Sequence, residues 1–358
     1  MSLKQLKNFS QKMENIIIFK VDRVGDLLHL SGCIKAIHEN FRGSEITLVC
    51  SKYNYQIAKN YSFIRKFIVI DKEGSLRILI KYFNQLVLSK YSYLFLLDGK
   101  NKSLFLSYFI KSKIKSSLCY WKVKKVFGIN YNIYRPSKFI LKKFFKNYII
   151  SDENYNNTAV KYQDLYFRLL ENLKIKVNSK KNYYVHNDQY KSIYKSFFNK
   201  FINEDFCIFH FDERWDKYKD IDFKNSLKII SKLASINKVI ITTGIKPFRF
   251  LNELENLYCA FDYNKIDKSL IKINKREENK VIILKNLPLD LLSFFISNSI
   301  NNISSHSGPI LNISAAFDIN VVDIIKESKF NELGRWIPLV SKYKRYSFEN
   351  LINSLDDF

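Results

Sequence analysis

Residues 16–30 are IIIFKVDRVGDLLHL, and this stretch contains the transition that decides the fold. Its first four residues are apolar, rich in β-branched isoleucine and followed by charge, which predicts a buried β-strand. Residues 20–26 form a short loop, and the apolar spacing from about Leu27 to Asn40 predicts a helix. A strand that leads into a helix in this way is the first step of a parallel βαβ unit.

The same alternation continues along the chain and then starts again. The first series predicts strands at 45–50, 66–70 and 93–97, and helices at 53–60, 75–90, 102–110 and 158–173. The second predicts strands at 206–211, 238–242, 258–261, 281–284, 301–304 and 321–325, and helices at 223–235, 289–298 and 309–316. Residues 119–150 show no clear period, and residues 180–204 are expected to be the polar crossover between the halves.

We therefore predict an α/β fold of two Rossmann-like domains, residues 1–185 and 186–358, whose parallel sheets face a central cleft. The final helix is free to pack back on the first domain. In such sheets ligands bind at the carboxyl ends of the strands, so the loops after the strands are the places to look for a site.

The net charge is strongly positive, with 59 Lys and Arg against 34 Asp and Glu, or +25. Abundant Lys, Asn and Ile with only nine Gly and five Pro are typical of an AT-rich genome, which explains the charge without a function. The functional explanations are attraction to an anionic membrane, a phosphorylated acceptor or nucleic acid. Nucleic-acid binding rests on charge alone, since no helix-turn-helix or RNA-recognition signature is found.

Targeting signals and cysteine spacing favour a cytoplasmic protein. No apolar run approaches the ~18 residues that span a bilayer, and the first fifteen residues lack the apolar stretch of a signal peptide. None of the five cysteines has CxxC spacing, so we expect reduced, mostly buried thiols and no zinc site. Peripheral contact with the anionic inner membrane stays open.

The first candidate site is residues 21–29, at the carboxyl end of the first strand. Gly25 allows a tight turn and a close approach of the backbone to a ligand. Asp26 lies at the start of the helix, where the dipole favours an ionised carboxylate. The alternative is purely structural: Asp26 only caps the helix, and Asp22 with Arg23 is a loop ion pair.

The second candidate site is residues 304–309, between a short strand and the 309–316 helix. Ser307 can cap the helix, Gly308 removes side-chain bulk, and Pro309 fits the first turn. The amides and dipole at such a helix start attract a diphosphate. An ordinary capped helix is the competing interpretation.

Several other sequence motifs are absent, incomplete or explained by local structure alone. No GxGxxG follows a strand, which disfavours a dinucleotide-dependent dehydrogenase, and Gly99-Lys100 lacks P-loop spacing. Asp220-Ile221-Asp222 matches a DxD metal pattern but precedes a helix, where acidic residues are expected in any case.

Taken together, the motifs resemble glycosyltransferase family 9, the bacterial heptosyltransferases. The resemblance begins at the first strand with residues 22–29 and continues in residues 44–49 and 158–160. It resumes at Ser307-Gly308-Pro309 and at Ala315-Ala316, and ends near Arg335-Trp336-Ile337-Pro338, so it covers about residues 16–338.

This resemblance implies a GT-B architecture and an inverting mechanism that requires no metal and no cofactor beyond the sugar donor. It assigns Asp26 as general base, with Arg23, Gly25 and His29 in the loop on the acceptor side. For the donor diphosphate it points to Ser307 and Gly308, with Arg214 or Lys217 meeting the phosphates. His306, directly before them, is a further donor-binding candidate, because a histidine can contact phosphate. His306 is a departure, because the family normally has an acid there that helps to hold the donor sugar.

The implied reaction moves a heptose-like sugar from a nucleoside-diphosphate donor, with ADP-heptose as the candidate, to a lipopolysaccharide-core or related glycan acceptor. Two alternatives stay open. One is a catalytically silent nucleotide-sugar-binding or scaffold protein of the same fold, and the other is a nucleic-acid-binding protein.

Overall fold

The computed structural model describes residues 13–70, 76–151, 160–212, 215, 222–244, 248–264 and 280–354. The chain divides between Tyr183 and Tyr184 into two compact units, which we call unit 1 and unit 2. Of the residues named above, Arg214, Lys217, Asp220 and Ile221 lie outside the described residues, as do residues 158 and 159.

Unit 1 is built on a sheet whose path is β3-β2-β1-β4-β5-β6, with β7 also paired to β5. The strands are β1 (Asn15–Lys20), β2 (Glu45–Cys50), β3 (Ile64–Val69), β4 (Lys90–Leu96), β5 (Lys111–Val126), β6 (Ile129–Arg135) and β7 (Asn147–Ile150). All described pairings are parallel except β5 with β6. This is the doubly wound order: β2 and β3 lie on one side of β1, and β4, β5 and β6 lie on the other side.

Helices connect these strands. They are α1 (Val24–Asn40), α2 (Lys52–Ala58), α3 (Leu76–Leu88), α4 (Asn101–Phe109), α5 (Lys138–Phe144) and α6 (Tyr162–Glu171). At Gly32 of α1, a Cβ atom would lie 2.0 Å from the carbonyl oxygen of Lys181. Helix α1 therefore needs a glycine where the last segment of unit 1 crosses it.

Unit 2 contains a seven-stranded, fully parallel sheet in the order β10-β11-β9-β8-β12-β13-β14. Its strands are β8 (Phe206–Phe211), β9 (Lys238–Thr243), β10 (Cys259–Asp262), β11 (Val281–Lys285), β12 (Asn301–Ser304), β13 (Asn320–Ile324) and β14 (Tyr343–Tyr346). The helices are α7 (Lys191–Phe197), α8 (Phe223–Ile236), α9 (Leu251–Leu257), α10 (Leu289–Asn298), α11 (Gly308–Phe317), α12 (Phe330–Gly334) and α13 (Phe348–Asn353).

Each unit has its own hydrophobic core. In unit 1 the core includes Ile17, Phe19 and Leu94 on the central strands, and in unit 2 it includes Phe209 and Ile241. The apolar runs that predicted strands are buried because helices cover both faces of a parallel sheet. The five cysteines are free thiols, four of them buried, as their spacing predicted.

The final helix and the aperiodic segment are where the structure adds most to the predictions. Helix α13 contributes Phe348 and Leu351 to the core of unit 2. Residues 119–150 hold the end of long β5, an antiparallel return along β6, helix α5 and β7. A strand that changes partners along its length has no single apolar period, which is why the pattern gave no prediction. Of the helices described, none combines the length and apolar character needed to cross a bilayer.

Candidate functional site

The first candidate site lies at the carboxyl ends of β1 and β4. These strands are neighbours, yet the chain leaves β1 toward β2, and β4 lies on the other side. This reversal is the topological switch point at which doubly wound sheets bind ligands. Asp22 follows β1 and Asp98 follows β4, so the sheet brings together two carboxylates that are far apart in sequence.

A buried lysine joins these strand ends. Lys20 is fully buried, and its Nζ donates to the carbonyl oxygen of Leu97 at 2.9 Å and to the Tyr166 hydroxyl at 3.2 Å. The same nitrogen lies 3.1 Å from Oδ2 of Asp22. Burial alone would lower the pKa of Lys20, but Tyr166 and the surrounding carboxylates, Asp22 first among them, raise it well above its ordinary value. The charge on Lys20 is therefore permanent.

Asp22 is held between two lysines. Besides Lys20, the Nζ of Lys100 lies 3.2 Å from Oδ1 of Asp22. Burial would raise the pKa of Asp22, and the two cations together bring it below its ordinary value. The sequence left open an ion pair between Asp22 and Arg23. The structure corrects it: Asp22 pairs with Lys20 and Lys100, and Arg23 is exposed.

Asp98 is a buried carboxylate whose two oxygens are both occupied. Its Oδ2 accepts from Val21 N at 3.0 Å and from Ser103 Oγ at 2.7 Å, and its Oδ1 accepts from Lys100 N at 3.1 Å. Burial and the neighbouring Asp22 raise the pKa of Asp98 to about 6. Asp98 therefore organises the ends of β1 and β4.

Asp26 is in a different position from these two acids. It lies in the first turn of α1 and is only partly buried. Its Oδ2 accepts one long hydrogen bond, 3.3 Å, from the backbone N–H of Arg23. The capping interpretation of Asp26 is thus present in the structure, but the bond is weak and the other carboxylate oxygen stays available within the described residues. Of the three acids, Asp26 is the one with a carboxylate oxygen that makes no hydrogen bond or ion pair within the described residues.

The neighbours of Asp26 in the loop differ from one another in exposure. Gly25 is partly buried and Arg23 is exposed, consistent with a loop at the edge of the site. His29, which the resemblance placed in the same loop, is only 2% exposed and meets Tyr166 edge-on with ring centroids 6.3 Å apart. His29 therefore belongs to the interior beneath the site.

The second candidate site lies at the corresponding position of unit 2. Strand β8 is followed along the chain by β9 on one side, while β12 lies on its other side, so the β8–β12 boundary is the switch point of this sheet. The loop of residues 305–307 leaves β12 here and enters α11. The structure thus confirms the predicted strand–loop–helix around Ser307 and Gly308.

His306 is fixed in this loop by a buried acid on β13. Its backbone is in the left-handed region (φ 51°), where its N–H donates to Oδ1 of Asp323 at 2.7 Å. The ring Nδ1 lies 2.7 Å from Oδ2 of the same carboxylate. Tyr343 donates to that oxygen at 2.5 Å, and Arg345 lies 3.7 Å from it. Burial would raise the pKa of Asp323, but His306, Tyr343 and Arg345 hold it below its ordinary value.

Helix α11 begins without a side-chain cap. Ser307 is its N-cap residue, but the Ser307 hydroxyl makes no capping hydrogen bond, whereas Asp222 caps α8 by accepting from Asn225 N at 2.6 Å. The hydroxyl of Ser304 is buried and has no hydrogen-bond partner among the described residues. A ten-residue helix with an uncapped start offers its dipole and first-turn amides to an anion.

Sequence reasoning missed four members of these sites: Lys20, Asp98, Tyr166 and Asp323. Lys20 and Asp98 could have been found, because each is a charged residue at the end of an apolar run, where a parallel strand ends. Asp323 could have been noticed as a charged residue inside the apolar strand 321–325, although its partner could not be read from the sequence. Tyr166 gave no signal, since it lies within a buried helix and acts on a residue distant in sequence. Within the described ranges, no three His, Cys, Asp or Glu side chains are grouped to hold a metal ion.

The two units place the chain in the GT-B class of α/β folds, in which two Rossmann-like units are joined in one chain. Solved structures with this fold include a glycosyl transferase family 9 protein from Veillonella parvula, 14% identical, over 93% of this chain and 87% of that one, with a TM-score of 0.65. The E. coli heptosyltransferase WaaC with ADP-2-deoxy-2-fluoro heptose is 13% identical over 96% and 98% of the two chains, with a TM-score of 0.59.

The UDP-GlcNAc 2-epimerase from Methanocaldococcus jannaschii is also similar, at 13% identity over 96% and 91% of the chains and a TM-score of 0.54. No family model matches the sequence, and no curated protein matches it. At these identities the likeness is one of fold, and the chemistry has to be argued from the site.

Proposed function

We propose that this protein is an inverting glycosyltransferase that uses a nucleoside-diphosphate sugar and needs no metal. The observation that carries the proposal is the carboxylate of Asp26, which lies at the switch point of unit 1 with one oxygen available. The fold likeness to a family 9 glycosyl transferase and to a heptosyltransferase bound to an ADP-heptose analogue supports a heptose-like donor. A lipopolysaccharide-core or related glycan is the proposed acceptor.

In the proposed reaction, an acceptor hydroxyl oxygen attacks the anomeric carbon of the donor. The bond from that carbon to the diphosphate oxygen breaks, the electron pair stays on the diphosphate, and Asp26 takes the hydroxyl proton. Because one displacement occurs at the anomeric carbon, its configuration inverts. Proton removal by a placed base typically contributes ~10²–10⁴ in rate.

Unit 2 is proposed to stabilise the departing diphosphate. The first turn of α11, at Ser307 and Gly308, offers amides and the positive end of a helix dipole. Since the Nδ1 of His306 is engaged by Asp323, the Nε2 of His306 is the ring nitrogen left for a phosphate, to which it donates when both ring nitrogens carry a proton. Arg214 and Lys217 are proposed as the cations for the same phosphates.

The test is Asp26→Asn, assayed for transfer and for donor binding with purified protein. We expect transfer to fall ~10²–10⁴-fold while the donor dissociation constant stays within about twofold, since the base acts only on the acceptor proton. The matched control is Asp164→Asn, which removes a partly buried first-turn carboxylate from α6 and should keep full activity.

A panel of nucleotide sugars, including ADP-heptose and UDP-GlcNAc, should first be screened for thermal stabilisation, because a ligand of the folded state raises its stability. Unchanged transfer in Asp26→Asn would remove Asp26 from its role. Binding without any transfer or donor hydrolysis would favour the silent scaffold. Conversion of UDP-GlcNAc without an acceptor would indicate an epimerase.

A further inference from the structure

Residues 99–151 contain no acidic residue. Thirteen Lys and Arg lie in this stretch, about half of the net charge of +25, and no Asp or Glu occurs between Asp98 and Asp152. The segment comprises α4, β5, β6, α5 and β7, which together form one edge of unit 1. The topology therefore places a stretch that carries about half of the net positive charge along one edge of unit 1.

This basic edge also exposes large apolar side chains. At the turn between β5 and β6, Phe127 is fully exposed, and Ile129 and Tyr131 are 59% and 49% exposed. Phe127 adopts the left-handed region (φ 48°) and precedes Gly128 (φ 82°). Hairpin turns of this kind normally use Asn, Asp or Gly at that position, and a phenylalanine there gains nothing from packing.

Helices α4 and α5 carry a second apolar feature of the same edge, which we call the aromatic patch: Phe105, Tyr108, Phe109, Phe139 and Phe144. Phe105 and Tyr108 each contact the ring of Phe109, and Tyr108 meets Phe144 edge-on at 4.7 Å. Phe139 is 73% exposed.

Lysines lie directly beside these rings. The Nζ of Lys143 lies 5.5 Å from the ring centroid of Phe144 and 5.9 Å from that of Phe139, and Lys142 beside it is exposed. Aromatic rings among lysines are the composition that binds a lipid interface, where rings enter the headgroup region and cations meet anionic lipids.

We propose that residues 99–151 form a docking surface for an anionic lipid bilayer, with Phe127 and Ile129 inserted at the tip of the hairpin. The positive charge of this edge favours an anionic partner. Two exposed aliphatic side chains, Ile129 and Leu88, favour lipid over nucleic acid. Ile129, like Leu88 (82% exposed) at the end of the neighbouring helix α3, is aliphatic and offers no ring for a base to stack on. This proposal does not depend on the transfer reaction proposed above.

The test is co-sedimentation of the full chain with phosphatidylcholine vesicles and with vesicles containing about one third phosphatidylglycerol. We expect binding to the anionic vesicles alone, weakened as NaCl rises from about 0.1 to about 0.5 M. The variant Phe127→Asn/Ile129→Ser should bind at least about tenfold more weakly, because two apolar side chains no longer leave water. Asparagine suits the left-handed turn, so the hairpin should keep its fold.

Lys142→Gln/Lys143→Gln should also lose about tenfold or more, since each cation near an anionic surface adds to binding. The matched control is Ile236→Ser, which removes an isoleucine of similar exposure, 48%, from α8 of unit 2 and should bind as the parent does. Equal binding to neutral vesicles, or equal binding by parent and hairpin variant, overturns the proposal. So does salt-sensitive binding to single-stranded DNA in the absence of vesicle binding.

Discussion

Lys20 is a permanent positive charge in the interior of unit 1, and it is stabilised only by the groups that surround it. Its partners come from four elements: the end of β4, helix α6, strand β5 and the loop after β1. Tyr166 accepts from Lys20, and its hydroxyl lies 2.6 Å from that of Tyr120, which in turn donates to the carbonyl oxygen of Leu97. A single side chain thus fixes the relative positions of the strand ends that carry the proposed active site.

We expect Lys20→Met to destabilise the protein by about 3 kcal/mol or more, because Asp22 loses one of its two cations in a buried position. The free energy of unfolding in urea measures this loss. Lys180→Met is the control, since the Lys180–Glu171 pair is almost half exposed on both sides and should contribute less than about 1 kcal/mol. Similar losses in both variants would mean that the network around Lys20 adds no stability.

Asp98 predicts a pH dependence with a definite sign. Its folded pKa, about 6, lies above the ordinary value of 3.8, so between these values the folded state binds more protons than the unfolded state. The contribution of Asp98 to stability is therefore greatest below about pH 4 and is lost as the pH rises through about 6.

The measurement is the difference in unfolding free energy between the parent and Asp98→Asn from pH 4 to pH 7. This difference should change by up to about 3 kcal/mol in favour of the variant, and then level off above pH 6. If the difference in unfolding free energy does not change across this range, folding does not shift the pKa of Asp98.

Helix α1 illustrates how the secondary-structure elements are fitted to one another. Its central turn carries two small residues, Ser31 and Gly32, where the final segment of unit 1 passes. Ser31 Oγ accepts from Tyr183 N at 2.8 Å, and the Lys181 carbonyl occupies the space that a side chain at Gly32 would need. Helix propensity therefore favours alanine over glycine at position 32, whereas packing favours glycine.

We expect Gly32→Ala to destabilise the protein by about 1–3 kcal/mol, although alanine is the better helix former by about 1 kcal/mol. The reason is that a backbone atom, rather than a flexible side chain, would have to move away. Thermal and urea unfolding check the sign. A stabilised variant would show that the segment at Lys181 can shift at little cost.

Much of the element pattern followed from the sequence. The strands Glu45–Cys50 and Phe206–Phe211 and the helix Leu289–Asn298 were predicted with their observed bounds, because each is a clear apolar run or a clear helical period. Helix α7 and strand β14 were missed, since both are short and polar. Their formation depends on neighbours that a local pattern does not contain.

At the level of the whole chain, the first residues of unit 2 pack against helices of the same unit. His186 is stacked between Phe294 and Phe317, at centroid distances of 4.2 and 4.8 Å, and Tyr184 donates to Oδ1 of Asp290 at 3.3 Å. The segment that begins unit 2 is thus packed on α10 and α11, inside the same unit. A core and a packed entry segment are the properties of a domain that folds alone.

We expect residues 184–358 expressed alone to unfold cooperatively in urea, as followed by circular dichroism. A shorter fragment, 190–358, lacks the contacts of Tyr184 and His186 and should be less stable by about 2 kcal/mol or more. A gradual, non-cooperative transition in the longer fragment would mean that unit 2 requires unit 1 to fold.

The sequence by itself determined the alternation of strands and helices, the two series and the loops that follow the carboxyl ends of the strands, because these depend on local apolar period and on the rule for parallel sheets. Only the tertiary structure decided which charges meet. Lys20 and Tyr166 are 146 residues apart, and Val21 and Asp98 are 77 apart, yet they share hydrogen bonds. Strand order sets such pairs, and strand order results from packing of the whole unit rather than from any local run of residues.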